Sequence, residues 1–259
     1  MMDLENPSEK EQKRWGYIQP SGKQVIDPVF EEAGPFSEGL ARIKLNGRWG
    51  FIDNKGGMVI PPAFDDAGDF SGGMAPVCRK GLWGYIDLSG KEKIAPRYEF
   101  AWSFSGGLAA VGNEKKWGFI KPDGSFLIKP GLDFVWSFSE GKAVIQLSGQ
   151  WAVINSQGKL IFKPNYQFVG PFKEGLARVN IGGRKIGSRF IQGGLWGYID
   201  RTGKLAIRPA YDFTWNFSEG LAGVYVQKQD RWSYINPAGE EVFNLQADAA
   251  ISNHQIKVY

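Results

Sequence analysis

The sequence is short of the residues on which most catalytic and metal-binding sites depend. It has one cysteine, Cys78, and one histidine, His254, in 259 residues. A single cysteine excludes an internal disulfide and a cysteine-based metal cluster. A single histidine removes the side chain most often used as a general base or a metal ligand. We therefore expect a protein that is not an enzyme and that binds no cofactor and no metal.

Long apolar runs and a strong charge of one sign are lacking as well. No apolar stretch approaches the roughly 20 residues of a membrane-spanning helix. The opening segment MMDLENPSEKEQKR has no apolar core of the kind found in signal peptides. The net charge is only +4 and the basic residues are scattered, whereas nucleic-acid-binding proteins cluster them. These features predict a cytoplasmic protein with no membrane span and no nucleic-acid partner.

One motif, in which a tryptophan precedes a small residue, returns along the chain at a regular spacing. The first four separations between these tryptophans are 34 residues, and the last two are 45 and 36. The opening tryptophans are Trp15, Trp49, Trp83, Trp117, Trp151, Trp196 and Trp232. A glycine follows each of them 7 residues later, and in the first six units a proline follows 13 residues later. Such a period indicates a tandem repeat.

The composition of each unit favours strands over helices. Glycine costs about 1 kcal/mol and proline about 3 kcal/mol in a helix interior, and every complete unit contains several glycines and an internal proline. In residues 40–64 an alternating strand leads to Asn46-Gly47, which is typical of a two-residue hairpin turn. A second strand starts at Trp49, and a short third strand is expected to end at Pro62. We predict an all-β fold of tandem three-stranded meanders, joined by connectors such as AFDDAGDFSGG.

Both faces of these strands are apolar, so each small sheet has to be covered on both sides. The small residue after the tryptophan lets a neighbouring backbone approach, which makes the motif a packing rule rather than a reactive site. A seven-unit β-propeller meets these needs if the final HQIKVY segment pairs with the first strand. An open β-solenoid is the alternative. The expected organisation is a polar segment at 1–14 followed by one repeat domain at 15–259.

The patterns RWGYI..SGK.VI.P.F and FSEGLARV resemble the bacterial WG-repeat family, also called KWG repeats. The resemblance covers about Trp15 to Tyr259. It implies a β-rich repeat module, often without a known biochemical activity, and it supplies no catalytic residues. The chain departs from the family pattern at Ala152, in the degenerate last unit, and at an insertion in the fifth unit.

The acidic residues recur with the repeat, which argues against a catalytic pair. They follow the second strand or stand in the F-S/K-E-G motif: Asp53, Asp87, Asp200, Glu38, Glu140, Glu174 and Glu219. A catalytic pair should be singular, so we expect these carboxylates to make turn hydrogen bonds. Cys78 is expected to be a small core or surface thiol, and His254 a surface residue.

The insertion at 182–194 is the first candidate binding site. It carries Arg184, Lys185 and Arg189 together with Phe190, between glycine pairs. It is either an extended hairpin with a solvated basic tip or a contact loop for an acidic partner. Loops on rigid scaffolds are common binding sites.

Three extra tryptophans are the second candidate. Trp102, Trp136 and Trp215 stand where other units have Gly34, Gly68 and Gly170. Their rings either fill gaps between units or stack on sugars or peptide side chains. The sequence therefore predicts a non-catalytic scaffold for protein–protein or protein–peptide interaction. A glycan-binding or cell-wall-binding module is the alternative.

Overall fold

A computed structural model describes residues 13–186 and 190–245. Within these ranges every regular element is a β-strand, apart from a single 3-10 turn at Gln227–Gln229. The all-β prediction is confirmed. No helix in the described ranges is long and apolar enough to cross a membrane. His254, the HQIKVY segment and residues 1–12 lie outside the described residues, so ring closure through HQIKVY stays a prediction.

The chain divides into two compact units. One contains the described residues up to Glu114 together with Ile120–Phe126, and the other contains Lys115–Phe119 and the described residues from Leu127 onward. The first unit holds a two-stranded sheet and two four-stranded sheets. Their strands are β1 (Trp15–Ile18), β2 (Gln24–Phe30), β3 (Glu32–Ser37), β4 (Leu40–Leu45), β5 (Arg48–Asp53), β6 (Met58–Phe64), β7 (Asp66–Ala67), β8 (Met74–Arg79), β9 (Leu82–Asp87) and β10 (Glu92–Tyr98).

The next sheet has the same four-stranded order. Its strands are β11 (Phe100–Ala101), β12 (Ala109–Asn113), β13 (Lys116–Ile120) and β14 (Phe126–Leu132). The second unit continues with three further four-stranded sheets and a two-stranded sheet, β21–β22. Their strands are β15 (Phe134–Val135), β16 (Lys142–Leu147), β17 (Gln150–Asn155), β18 (Leu160–Phe162), β19 (Phe168–Val169), β20 (Leu176–Ile181), β21 (Arg184–Ile186), β22 (Phe190–Gln192), β23 (Leu195–Asp200), β24 (Leu205–Tyr211), β25 (Phe213–Thr214), β26 (Ala222–Val226), β27 (Arg231–Ile235) and β28 (Glu241–Leu245).

Each four-stranded sheet contains the expected meander and one more strand. The segment predicted to be a connector contains this extra strand: Asp66–Ala67 pairs with β8 and so joins the sheet that contains Trp83. The extra strand has only two residues in β7, β11, β15, β19 and β25, too few for an alternating pattern to be visible in the sequence, whereas β3 has six. The expected hairpin turn is present, since Asn46 and Gly47 both have positive φ angles, 52° and 71°.

The glycine of the Trp-Gly motif faces a bulge in the third strand. Between β5 and β6, Trp49 pairs with Phe64 whereas Phe51 pairs with Ile60, so β6 has two extra residues at this point. A Cβ on Gly50 would lie 2.6 Å from the carbonyl oxygen of Ile60. The third strand is an edge strand as expected, but the prediction that it ends at proline is wrong. It runs on through Pro62 because the bulge removes the need for an N–H there.

Two repeats have a larger residue in place of this glycine, and in both of them the third strand does not bulge over that residue. Beside Ala152, β18 stops at Phe162, before the proline position is reached. Beside Ser233 the pairing with β28 is regular, and Leu245 stands in the place of the proline. A Cβ is therefore tolerated where no backbone bulges over it. The packing interpretation of the motif is confirmed.

Five of the repeats contribute a pair of aromatic rings to the core. The aromatic residue two positions after the opening tryptophan packs edge-on or tilted against the phenylalanine 21 positions after it. These pairs are Tyr17–Phe36, Phe51–Phe70, Tyr85–Phe104, Phe119–Phe138 and Tyr198–Phe217, with centroid separations of 4.7–5.0 Å. Where the first residue is tyrosine, its hydroxyl also donates to a backbone carbonyl, as Tyr198 does to Trp215 at 2.7 Å. In these five repeats the ring pair anchors the strand that carries the opening tryptophan.

Candidate functional site

The insertion forms the hairpin that the sequence predicts. Strands β21 and β22 pair through Arg184–Gln192, Lys185–Ile191 and Ile186–Phe190. The guanidinium of Arg184 donates to the side-chain oxygen of Gln192 across the hairpin at 3.2 Å. Arg189 lies outside the described residues. The insertion is therefore two-stranded at 184–186 and 190–192, and residues 187–189 between them lie outside the described residues.

A buried asparagine, which sequence reasoning missed, holds the base of this hairpin. Asn180 has no exposed surface. Its side-chain amide donates to the carbonyl of Gly193 and accepts from the backbone N–H of Gly183, both at 3.1 Å. A Cβ on Gly183 would lie 2.3 Å from Ile191, so the flanking glycines allow the two strands to leave the sheet close together. The direction of the hairpin is fixed by these contacts.

A continuous set of aromatic rings, here called the aromatic ladder, runs across three sheets of the second unit. Neighbouring rings have centroid separations of 4.9–6.5 Å. The ladder consists of Phe134, Trp136, Trp151, Phe168, Trp196, Phe213, Trp215, Trp232 and Tyr225. Trp215 is the most open of its tryptophans, with 57% of its surface exposed. The ladder therefore joins two predicted site residues, Trp136 and Trp215, to three opening tryptophans, Trp151, Trp196 and Trp232.

Two cationic side chains lie over the ladder. The guanidinium carbon of Arg178 is 5.3 Å from the ring centre of Phe168 and 5.4 Å from that of Trp196. The ammonium of Lys185, from the insertion, is 5.6 Å from the ring centre of Trp151. Such cation–π contacts orient a positive charge without neutralising it. Burial lowers the pKa of Arg178, although a guanidinium stays charged at any physiological pH.

In the first unit, Arg79 over Phe64 and Arg97 over Tyr98 have no ion pair among the described residues, whereas the two cations over Trp49 are paired with carboxylates. There Arg42 and Lys44 lie over Trp49 and pair with carboxylates, Arg42 with Asp69 and Lys44 with Glu32, at 2.7 and 2.8 Å. In the second unit, neither Arg178 nor Lys185 has an ion pair within the described part of the chain. Seventeen residues after the opening tryptophan, the first two repeats have the acids Glu32 and Asp66, and the next four repeats have phenylalanine: Phe100, Phe134, Phe168 and Phe213. The ladder is therefore apolar and has two cations over it that lack an ion pair in the described residues, while Asp230 accepts from the hydroxyl of Tyr225 at its other end.

The alternation of tryptophan and glycine has a packing explanation. The tryptophan or glycine at this position donates its backbone N–H to the carbonyl of the residue 8 positions later. Trp215 donates to Gly223 in this way, and Gly170 donates to Arg178. One member of each pair is large and the other is small. A Cβ on Gly223 would lie 2.8 Å from Trp215, and one on Gly170 would lie 2.9 Å from Arg178. The extra tryptophans thus fill space that a partner residue leaves open, which supports the gap-filling interpretation.

The recurring carboxylates make turn hydrogen bonds, as predicted. Glu38 accepts from the backbone N–H groups of Gly72 and Gly73 in the next repeat, at 2.8 and 2.9 Å. Glu140 accepts from Gly175 and from Arg201. Burial acts to raise the pKa of Glu140, but these hydrogen bonds outweigh it and the pKa is lowered. These carboxylates link neighbouring repeats.

The other predicted residues are placed as follows. Trp102 lies in the first unit, where its backbone N–H donates to Ala110 and its carbonyl accepts from the hydroxyl of Tyr85. Phe190 is the first residue of β22. Cys78 is buried, and burial raises the pKa of its thiol. Among the described residues, no group of three or more His, Cys, Asp and Glu side chains is arranged to hold a metal ion.

Comparison with protein families identifies the repeat. The model of the WG-containing repeat matches six times, at residues 15–49, 49–83, 83–117, 117–151, 151–184 and 196–228. The chain belongs to the WG-repeat family. The unit that opens at Trp232 is not among the matches. This WG-repeat protein matches none of the curated proteins.

Solved structures with very different sequences share the fold of this WG-repeat protein. A eukaryotic initiation factor is 13% identical with a TM-score of 0.60, covering 89% of this chain and 70% of the other. KlHsv2 with its loop 6CD replaced by a Gly-Ser linker is 13% identical with a TM-score of 0.51, covering 80% and 77%. The dihydro-heme d1 dehydrogenase NirN, in complex with DHE, is 17% identical with a TM-score of 0.50, covering 80% and 55%. These similarities show a fold of the β-propeller type and nothing about activity.

Proposed function

We propose that this WG-repeat protein is a non-catalytic scaffold that binds an extended, acidic segment of a partner protein along the aromatic ladder. The observation that carries the proposal is the open end of the ladder, where Trp215 is 57% exposed beside the partly exposed Phe213, Tyr225 and Trp232. The other end is buried at Trp151, Phe168 and Trp196, and there Arg178 and Lys185 lie over the rings. Aromatic side chains are enriched in protein interfaces and depleted from most other surfaces. Unpaired cations beside them favour a partner of opposite charge.

A peptide fits the ladder better than a glycan does. Glycan stacking needs the open face of a ring, and the side chains of Trp136 and Trp102 are partly buried. The indole N–H of Trp136 already donates to the carbonyl of Val169 at 3.0 Å. The ring of Trp215 stacks on the ring of Trp232. Trp215 therefore offers a partner a single apolar contact point at this place on the ladder. Side chains of an extended peptide can use such separate anchor points.

Selection of a random peptide library displayed on phage tests this function. The full chain is the bait, and the selected peptides are then measured against Trp215→Ala and Leu160→Ala variants by fluorescence anisotropy. Leu160 is the matched control, because it is 54% exposed on β18 and is not part of the ladder. We expect acidic peptides whose affinity falls about tenfold or more with Trp215→Ala, as for an aromatic hot spot, and is unchanged with Leu160→Ala.

Two results would contradict the proposal. The first is selection of no peptide from the library, together with binding of soluble oligosaccharides that depends on Trp215. The second is equal loss of peptide affinity with both variants, which would place binding outside the ladder. Thermal melts of both variants establish that each is folded before affinities are compared.

A further inference from the structure

Arg42 and Arg178 occupy the same place in their repeats and make the same backbone contact. Each lies 27 residues after its opening tryptophan. The Nη1 group of Arg42 donates to the carbonyl of Ala67, and that of Arg178 donates to the carbonyl of Thr214, both at 3.0 Å. Ala67 and Thr214 are equivalent residues of the following repeat. The two guanidinium groups are therefore held in equivalent orientations.

The two sites differ in the acceptor for the second nitrogen. In the first unit the Nε of Arg42 donates to a carboxylate oxygen of Asp69 at 2.7 Å. The residue equivalent to Asp69 in the second unit is Asn216. Within the described residues, the buried Nε of Arg178 and the buried side-chain oxygen of Asn216 each have no hydrogen-bond partner. A buried donor left unsatisfied is costly, and more so when it carries charge.

We propose that Arg178 is the anchor for a carboxylate of the bound partner, which takes the role that Asp69 has beside Arg42. This inference rests on the proposed function and specifies what its partner must carry. A guanidinium prefers a carboxylate because two parallel N–H groups match its two oxygens. Arg178 and Asn216 are both partly exposed, but the Nε and Oδ1 atoms themselves are buried. A ligand carboxylate therefore reaches Nε by displacing the side chain of Asn216. Phe168 and Trp196 beside the guanidinium reduce its hydration and strengthen such a pair.

Substitution of Asn216 by aspartate offers a sharp test, because it recreates the internal ion pair of the first unit. In Asn216→Asp the new carboxylate should satisfy Arg178 and exclude an external one. The first probe is sodium acetate, followed through the arginine Nε–H signals in nuclear magnetic resonance spectra of the full chain, with sodium chloride as the ionic-strength control. Arg42 is the internal control, since Asp69 already occupies its Nε.

We expect acetate to shift the Arg178 signal in the native chain, to leave the Arg42 signal in place, and to have no effect on Arg178 in Asn216→Asp. An equal response of the two arginines, or no response of Arg178, would overturn the carboxylate site. This measurement uses no peptide, so it fails or succeeds separately from the proposed function. A peptide that binds the ladder without a carboxylate, and equally well to Asn216→Asp, would likewise overturn the site while leaving the function standing.

The selected peptides then distinguish the source of the carboxylate. One arm uses peptides with an amidated C terminus, so that only aspartate and glutamate side chains supply the group. The other arm uses peptides with a free C terminus and no acidic side chain. In whichever arm binding occurs, Asn216→Asp and Arg178→Met should each weaken affinity by about tenfold or more, the usual effect of losing a charged hydrogen bond. Retained affinity in both variants would contradict the assignment of Arg178.

Discussion

Replacing Gly84 by alanine tests the physical origin of the repeat motif. Gly84 lies in β9 and faces the bulge of β10. A Cβ there would be 2.4 Å from the carbonyl oxygen of Ile94 and 2.7 Å from the nitrogen of Pro96. Both obstacles are backbone atoms, so no side-chain rotation can relieve the clash. The bulge itself has to move away from β9.

The size of the effect follows from that displacement. Carbon atoms in ordinary contact lie roughly 3.5 Å from their neighbours, so the bulge must retreat by about 1 Å. Overpacking of this kind costs about 1–3 kcal/mol, against a gain of roughly 0.4–1 kcal/mol from the stiffer unfolded chain. A net loss of about 1–2 kcal/mol corresponds to a decrease of roughly 2–8 °C in Tm for a chain of this size.

Thermal unfolding followed by circular dichroism measures this loss, and Gly131→Ala is the matched control. Gly131 lies in β14, and the nearest atom to its added Cβ is 3.8 Å away. The same substitution there should leave Tm unchanged or slightly raised. An unchanged Tm for Gly84→Ala, or an equal decrease for both variants, would refute the explanation of the motif by close backbone approach.

Two further predictions concern side-chain complementarity and pH. Gly223→Arg should destabilise the chain because its Cβ would meet Trp215 at 2.8 Å. Adding Trp215→Gly should recover about 1–2 kcal/mol of the lost stability in a double-mutant cycle. Strictly additive losses of stability would contradict this pairing. Hydrogen bonds from Lys116 and Gly149 lower the pKa of Asp133 below its ordinary value of 3.8, so its contribution to stability is complete above about pH 4 and is lost as the pH falls through the lowered pKa. Thermal melts should show Asp133→Asn less stable than the native chain at neutral pH, with a difference that shrinks below about pH 4; a difference independent of pH would contradict the role of the charge.

Much of the fold could be predicted because the turns and strands of each repeat depend on residues that are close together in the sequence. The turn at Asn46-Gly47 depends on two neighbouring residues, and the strand that follows Trp49 depends on alternation over a few more. The bulge at Pro62 was not foreseen, because it requires a comparison of two strands in register. Acid residues that follow the third strand were missed for a similar reason: Asp133 accepts from Gly149, 16 residues away across a hairpin.

The candidate site was only partly predictable. Lys185 and Trp215 were identified as exceptions to the repeat, but Arg178 was passed over because it lies within the regular pattern. Its importance appears only through Asn216, which belongs to the next repeat and replaces an aspartate found in the equivalent place. A signal was present in the sequence, namely the exchange of Asp69 for Asn216 at one repeat position, but nothing there linked it to an arginine 38 residues earlier.

The sequence by itself determined the period, the all-β class, the turns and the family, because these depend on residue types at short and regular spacings. The tertiary structure decided which side chains meet: the ladder across three sheets, Lys185 over Trp151, and Arg178 without a carboxylate among the described residues. Those contacts join residues that are far apart in the chain and depend on how neighbouring sheets pack. Periodicity shows that the repeats are alike, whereas packing shows where one repeat differs from the others.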